Sequence, residues 1–307
     1  MSAPTLTWSC DLDEEAVRAI RDLLAQAQRA DGVEPVGEQV LHSLGETAGR
    51  GGAAHLRAVV DGVTVGYANL VRAPGEPPVG ELAVHPEHRR RGYGAALLSA
   101  VRERGGPGTR VWAHGDGTPA QSLAAAVGLV GVRDLLQMRL DLRAVELPEL
   151  PDRPDVAVHT YRGPVDDEAV LAVNNAAFSW HPEQGGWGPE EMAQRRAEPW
   201  FDPAGFFLAV DSGGSGELLG FHWTKVHAGT DTEPAVGEVY VVAIDPGAQG
   251  RGLGRLLTLA GLHHLRDAGL GSVLLYVEGD NDAALHTYQR LGFTVFHLDR
   301  AYGDRAS

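Results

Sequence analysis

The chain has 307 residues, 43% of them hydrophobic, which is enough for two ordinary cores, and its formal net charge is −15. That charge argues against general nucleic-acid binding, which needs clustered Lys and Arg, and no apolar run reaches the roughly 20 residues of a membrane helix. A single cysteine, Cys10, excludes an internal disulfide framework, the 13 histidines show no zinc-ligand spacing, and residues 1–15 lack a basic-then-apolar leader, so the expectation is a cytoplasmic monomer without metal.

The first half opens with a pattern that predicts a helix over 14–29, then strands at 56–60, 63–71 and 81–84. Asp61-Gly62 between two apolar runs is a hairpin signal. A Gly-rich turn leads into a helix over 92–104, a strand at 110–113, a helix over 121–126 and a strand at 135–142. Pro148, Pro151 and Pro154 disfavour helix and central strand, so 147–154 reads as a linker between a domain at 1–146 and another at 155–307. The second half predicts a strand at 156–161, helices over 167–178 and 189–198, and strands at 206–210, 218–226 and 237–244. The run 211–216 is a hairpin loop, and strands at 274–277 and 293–298 complete an α/β chain with mixed (α+β) sheets.

One loop-to-helix signature occurs twice. His85-Pro86-Glu87-His88-Arg89-Arg90-Arg91-Gly92-Tyr93-Gly94 returns as Asp245-Pro246-Gly247-Ala248-Gln249-Gly250-Arg251-Gly252-Leu253-Gly254, with the proline and both glycines at one common offset. Each copy follows an apolar strand-like run and opens an apolar-periodic helix. Glycines let a ligand approach the backbone, and free N–H groups at the positive end of a helix favour phosphate. A dinucleotide fingerprint lacks its third small residue here, because Gly254 is followed by Arg255-Leu256-Leu257, and a Walker loop lacks its Gly-Lys-Ser/Thr. A Gly-rich turn without a ligand is the simpler alternative for one copy, but less so for two in register. Arg89, Arg90 and Arg91 are either a solvated helix start or phosphate contacts, and the loop favours the second.

These residues, Gln249-x-x-Gly252-x-Gly254 and Arg89-x-x-Gly92-x-Gly94, resemble the acyl-coenzyme-A loop of the GCN5-related N-acetyltransferases. A second block supports the resemblance: the strand Leu274-Leu275-Tyr276-Val277 is followed by Asn281-Asp282-Ala283-Ala284-Leu285-His286-Thr287-Tyr288, then Gly292-Phe293. Asn281 or Asp282 can cap that helix and Gly292 can end it. The resemblance implies two tandem domains of this fold and acetyl-coenzyme A as cosubstrate.

Amine acetylation needs an unprotonated nucleophile, a donor for the developing oxyanion and a proton for the leaving thiolate. Glu238 is the candidate base and Tyr288 the candidate acid; an arbitrary strand Glu is more often a solvated edge carboxylate, and the loop context reverses that. A backbone N–H near Val242 is the oxyanion donor that the resemblance implies. The common offset puts Pro78 opposite Glu238, and counting back from Gly128 as from Gly292 puts Ala124 opposite Tyr288. The first domain therefore keeps the loop but lacks the pair, so the C-terminal domain is expected to do the chemistry.

The stretches 31–40, 174–178, 181–187, 220–227 and 237–241 are similar to the mycothiol synthase family, tandem members of the same superfamily. Carried onto this sequence, that similarity implies Glu38, Glu183, Lys225, Glu238 and Tyr276 as contacts of a small-molecule amine acceptor, a cysteinyl-glucosaminyl-inositol. It implies Val242, Ala243, Ile244, Gln249, Gly250, Arg251, Gly252, Leu253, Gly254, Arg255, Asn281, Asp282, Ala283, Ala284, Leu285 and His286 along the productive coenzyme. A second coenzyme would lie along Leu82, Ala83, Val84, Arg90, Arg91, Gly92, Tyr93, Gly94 and Ala95. Acetylation of another amine, such as an aminoglycoside or a protein N-terminus, and coenzyme binding without turnover remain the competing readings.

Overall fold

A computed structural model describes residues 3–45, 53–73, 75–179, 184–230 and 234–305. The chain forms two compact units, Met1–Leu135 with His297–Ser307 and Leu136–Phe296.

In the first unit, β1 (Thr5–Ser9) and α1 (Glu14–Asp31) precede a short helix α2 (Glu38–Ser43). The chain then forms β2 (Ala54–Val60), β3 (Val63–Val71), β4 (Val79–Val84), α3 (Tyr93–Gly105), β5 (Arg110–Ala113) and α4 (Thr118–Ala126). Neither β1 nor α2 was expected: five residues at a sheet edge and six in a helix are too short for periodicity to register. Asp61 and Gly62 both take positive φ, 49° and 81°, as the tight β2–β3 hairpin requires. The antiparallel run β1-β2-β3-β4 meets β5 in parallel, and α1 and α3 cover opposite faces. Strand alternation divides the core accordingly. Tyr67 and Ala83 join Ile20, Leu23 and Leu24 under α1, while Leu56, Ala68 and Leu70 join Leu97 and Val101 under α3.

β6 (Val130–Asp141) contributes 130–135 to the first unit and 136–141 to the second. The second unit continues with β7 (Val156–Thr160), α5 (Asp167–Ala177), α6 (Pro189–Arg196), β8 (Phe206–Asp211), β9 (Leu218–His227) and β10 (Val236–Ile244). It ends with α7 (Leu253–Asp267), β11 (Ser272–Glu278), α8 (Asp282–Arg290) and β12 (Thr294–Gly303), whose part from His297 pairs with β5 in the first unit. β7, β8, β9 and β10 are antiparallel neighbours, and β10 runs parallel to β11. The Pro-rich segment 147–154 lies within the second unit, where Leu147 enters the core and His263 bonds the Pro148 carbonyl. Packing and the internal repeat therefore divide the chain at different places.

Here too the sheet is packed on both faces. Phe206, Phe221, Trp223, Val241 and Ala243 form a core with α5 and α6, and Trp223 stacks on Phe206 at 4.5 Å. On the other face α7 crosses β9 so closely that a Cβ on Gly261 would lie 2.2 Å from His222 Cε1. His222 is buried, bonds the Leu257 carbonyl at 2.8 Å, and is pushed down to about 4 by burial, so the ring is neutral. Gly261→Ala must displace that ring or the helix. It should lower stability by about 1–3 kcal/mol in denaturant titration, and an unchanged midpoint would show the contact to be soft.

Candidate active site

The parallel ladder between β10 and β11 has only three paired positions, Gly237 with Val273, Glu238 with Leu274 and Val239 with Leu275. Beyond Val239 the register of β10 on β9 shifts at Tyr240, a β-bulge. The bulge has a positional consequence. Side chains alternate along a strand, and without the extra residue Glu238 would share a face with Val242, toward α7. With it, Glu238 lies opposite Lys225 and on the face of Trp223 and Val241, the α5/α6 side. Leu274, paired with Glu238, puts Tyr276 on that face as well. Three of the expected acceptor contacts, Lys225, Glu238 and Tyr276, thus share one face of the sheet.

Glu238 is 7% exposed, and its Oε2 lies 2.7 Å from His227 Nε2. Lys225 Nζ sits over the rings of Trp200 and Tyr240, at 5.0 and 5.5 Å, and Arg195 Nε donates to the Tyr240 hydroxyl. The Tyr276 hydroxyl accepts from Gln137 Nε2 at 2.9 Å, with the ring half-exposed. Sequence reasoning missed His227, Trp200, Tyr240 and Gln137. His227 alone carried a legible signal, because it follows Trp223 and Lys225 at the strand period within a stretch already singled out. Glu183 lies outside the described residues. Next to it, Asn174 Nδ2 bonds the Gln184 carbonyl and Asn175 bonds both backbone groups of Trp187, which anchors the following loop on α5.

Tyr288 belongs to the opposite face. It is packed with Val239, Leu275 and Phe293 in the core under α7 and α8, and burial pushes its phenol up to about 12, so it keeps its proton. The candidate base and acid therefore stand on opposite sides of the strands, joined by the gap where β10 and β11 part. Both strands end at that gap and lead into helix N-termini. Gly252 (φ 75°) precedes α7, whose first intrahelical bond is donated by Leu256, leaving the N–H groups of Leu253, Gly254 and Arg255 free of the helix. A Cβ on Gly254 would meet nothing within 4 Å. Asn281 Oδ1 caps α8 at Ala284, and Gly292 (φ 95°) follows its end. The expected coenzyme residues Val242 to Ile244, Gln249 to Arg255 and Asn281 to His286 converge on this rim, a set of backbone donors suited to a pyrophosphate. Arg251 also reaches Asp155, at 3.1 Å.

The first unit repeats the rim with different chemistry. β4 and β5 likewise share three paired positions, and Leu82 to Val84 continue to the turn before α3, where Arg90 (φ 61°) and Gly92 (φ 85°) are left-handed and Ala96 donates the first helical bond. Arg89 is committed elsewhere, forked onto Asp31 at 2.7 Å and bonded to the Val84 carbonyl. The ladders correct one equivalence. Val84 faces Gly66 as Ile244 faces Gly220, and stepping back through the bulge makes Val79, not Pro78, the counterpart of Glu238, with Val71 in place of Lys225. Ala124 is buried where Tyr288 would stand. The carboxylate nearest this gap, Glu81, accepts the Gly37 N–H at 2.6 Å and pairs with His114 at 2.9 Å, and His114 also pairs with Asp299. Burial alone would depress His114, but the bonds to Asp299 and Glu81 outweigh it and raise the imidazole to about 10. Among the described residues no group of three or more His, Cys, Asp or Glu side chains is set to hold a metal.

Two acetyltransferase models of the GNAT family match the chain, over residues 173–293 and 51–127. A mycothiol acetyltransferase of Nocardia farcinica is 57% identical over 97% of both chains, and one of Rhodococcus opacus 56% identical over 98% of this chain and 99% of its own. The chain belongs to the mycothiol acetyltransferase family. A solved tandem GNAT protein from the clavulanic acid biosynthesis pathway, 21% identical, shares the fold of this family member with a TM-score of 0.67, covering 97% of this chain and 98% of its own.

Because the folded pKa of His114 lies above its unfolded value, the pair's stabilisation is complete below about pH 6.5 and is lost as pH rises through about 10. His114→Gln should therefore lower Tm most near pH 6, and the gap to the parent should close toward pH 10. A pH-independent gap would assign the loss to packing.

Proposed function

We propose that the second unit transfers acetyl from acetyl-coenzyme A to the cysteinyl amine of 1-D-myo-inositol 2-(L-cysteinylamino)-2-deoxy-α-D-glucopyranoside, giving mycothiol and coenzyme A. The observation that carries this reading is the placement of Glu238 and a buried, protonated Tyr288 on opposite faces of one strand gap. The thioester supplies the acyl group, and the protein's residues do the rest. Glu238 takes a proton from the acceptor ammonium, directly or through one water, on the face where Lys225 and Tyr276 meet hydroxyls of the acceptor. A backbone N–H near Val242 holds the carbonyl oxygen as charge develops, and Tyr288 gives its proton to the departing sulfur on the far face. Opposite faces suit the reaction, because the amine arrives from one side of the acyl carbon and the thiolate leaves toward the other.

We further infer that the first unit binds a coenzyme without turnover or supports the acceptor. Valines replace Lys225 and Glu238 there, Ala124 replaces Tyr288, and Glu81 is held by a cationic imidazole and a backbone N–H. Glu38 and Glu183 complete the acceptor contacts in this reading. The protein is placed as a cytoplasmic monomer acting on a small molecule, away from nucleic acid and membrane. In support, Cys10 is an exposed free thiol, which suits a reducing compartment.

Mass-resolved assays with acetyl-coenzyme A and the cysteinyl compound, beside an aminoglycoside panel, test the proposal. Amide-linked acetyl transfer to the cysteinyl amine is expected, falling by about 10²-fold or more in Glu238→Ala and in Tyr288→Phe. Transfer to another amine alone would discard this acceptor. Glu38→Ala should raise the acceptor KM and leave that of acetyl-coenzyme A unchanged; an unaltered acceptor KM removes Glu38 from the site.

A further inference from the structure

A proton taken by Glu238 has to leave before the next turnover, and the surroundings of Glu238 restrict where it can go. Its side chain is 9% exposed. Lys225, opposite on β9, is an ammonium already turned over Trp200 and Tyr240, and it has no lone pair to accept a proton. The Tyr240 hydroxyl, on the same strand, accepts from the Arg195 guanidinium of α6. Among the described residues, the hydrogen-bond partner of the Glu238 carboxylate is His227 at the end of β9. It is diagonal to Glu238 across the ladder, so both side chains share a face, and its Nε2 lies 2.7 Å from Glu238 Oε2. Its side chain is 43% exposed, against 9% for its partner, so the imidazole spans from the closed carboxylate to solvent.

We propose that His227 is the proton exit of the acetyl-transfer site, a positioning residue that acts through Glu238. The inference rests on the reading of Glu238 as the base. The acceptor ammonium loses a proton to the Glu238 carboxylate as its N–H bond breaks and an O–H bond forms. That carboxyl proton passes to Nε2 when the imidazole is in its Nδ1–H tautomer, which restores the carboxylate and leaves an imidazolium. The imidazolium gives a proton to water or a buffer base at its exposed side. The net movement is one proton from amine to solvent, with no change in oxidation state. Between turnovers the Nε2–H tautomer holds Oε2, leaving Oε1 free for the incoming amine, and proton exchange with solvent at the exposed ring returns it to the Nδ1–H tautomer before it accepts again.

The relay is distinguished from a merely structural contact by comparing His227→Ala with His227→Gln in the full chain, using whichever amine the parent enzyme acetylates. Gln can hold Oε2 through its amide but cannot carry a proton. Both variants should lose about tenfold or more in kcat with the acetyl-coenzyme A KM within about twofold, the scale of a lost acid–base step. Millimolar imidazole should restore His227→Ala in proportion to its neutral form, and sodium chloride of equal ionic strength should not. Parental kcat in His227→Gln, or no response of His227→Ala to imidazole, overturns the relay. His227 is half-exposed at a strand end, so both variants should fold, which a melting curve checks. Glu238→Gln is run alongside: parental activity there means that the base assignment has failed, whatever His227 does.

Discussion

The site depends on two parallel strands that stay paired for three residues and then part. A continuous ladder between β10 and β11 would bond their edges to each other and close the sheet. Where the ladder stops, β10 beyond Val239 and β11 beyond Leu275 are no longer paired with each other, in a sheet that is otherwise packed on both sides. The bulge at Tyr240 bends β10 and increases its twist, and it also turns Glu238 to the α5/α6 face. One inserted residue thus decides which face of the sheet carries Glu238.

The helix N-termini follow from the same geometry. α7 and α8 follow the ends of the two strands, so their N-termini lie at the carboxyl ends of parallel strands, the usual place for a ligand. Glycine is required at 252 by its left-handed backbone, whereas at 254 the structure offers open space in which a side chain would obstruct an approaching ligand. Tyr288 completes the arrangement from the core side. Burial, which disfavours the phenolate, keeps its phenol protonated.

Comparison of the two units separates the framework from the chemistry. Both have the three-position ladder, the 3-10 turn after the strand and the left-handed glycine before the long helix. Only the second has the bulge, the Glu–Lys pair and the tyrosine. In the first unit the polar groups near the gap pair with one another: His114 bridges Glu81 and Asp299, and Arg89 is forked onto Asp31. Such mutual compensation suits groups that hold a structure together.

Much of the framework was written locally, and there the sequence sufficed. Apolar periodicity marked the long helices and central strands, Asp61-Gly62 marked a hairpin, and the doubled Pro-x5-Gly-x-Gly spacing marked both turns, because each of these is determined by neighbours within a few residues. Glu238, Lys225, Tyr276 and Tyr288 were legible through a family pattern. Their division between two faces was not, because the bulge that sets it has no composition signal. β1 and α2 were too short to show a period and are held by distant partners, β2 in one case and Glu81 through Gly37 in the other. The His227 contact, the aromatic seat of Lys225 and the locking of Glu81 belong to the tertiary structure alone. Each joins side chains through strand register or across separate elements, and register is decided only when the two faces of the sheet are buried together.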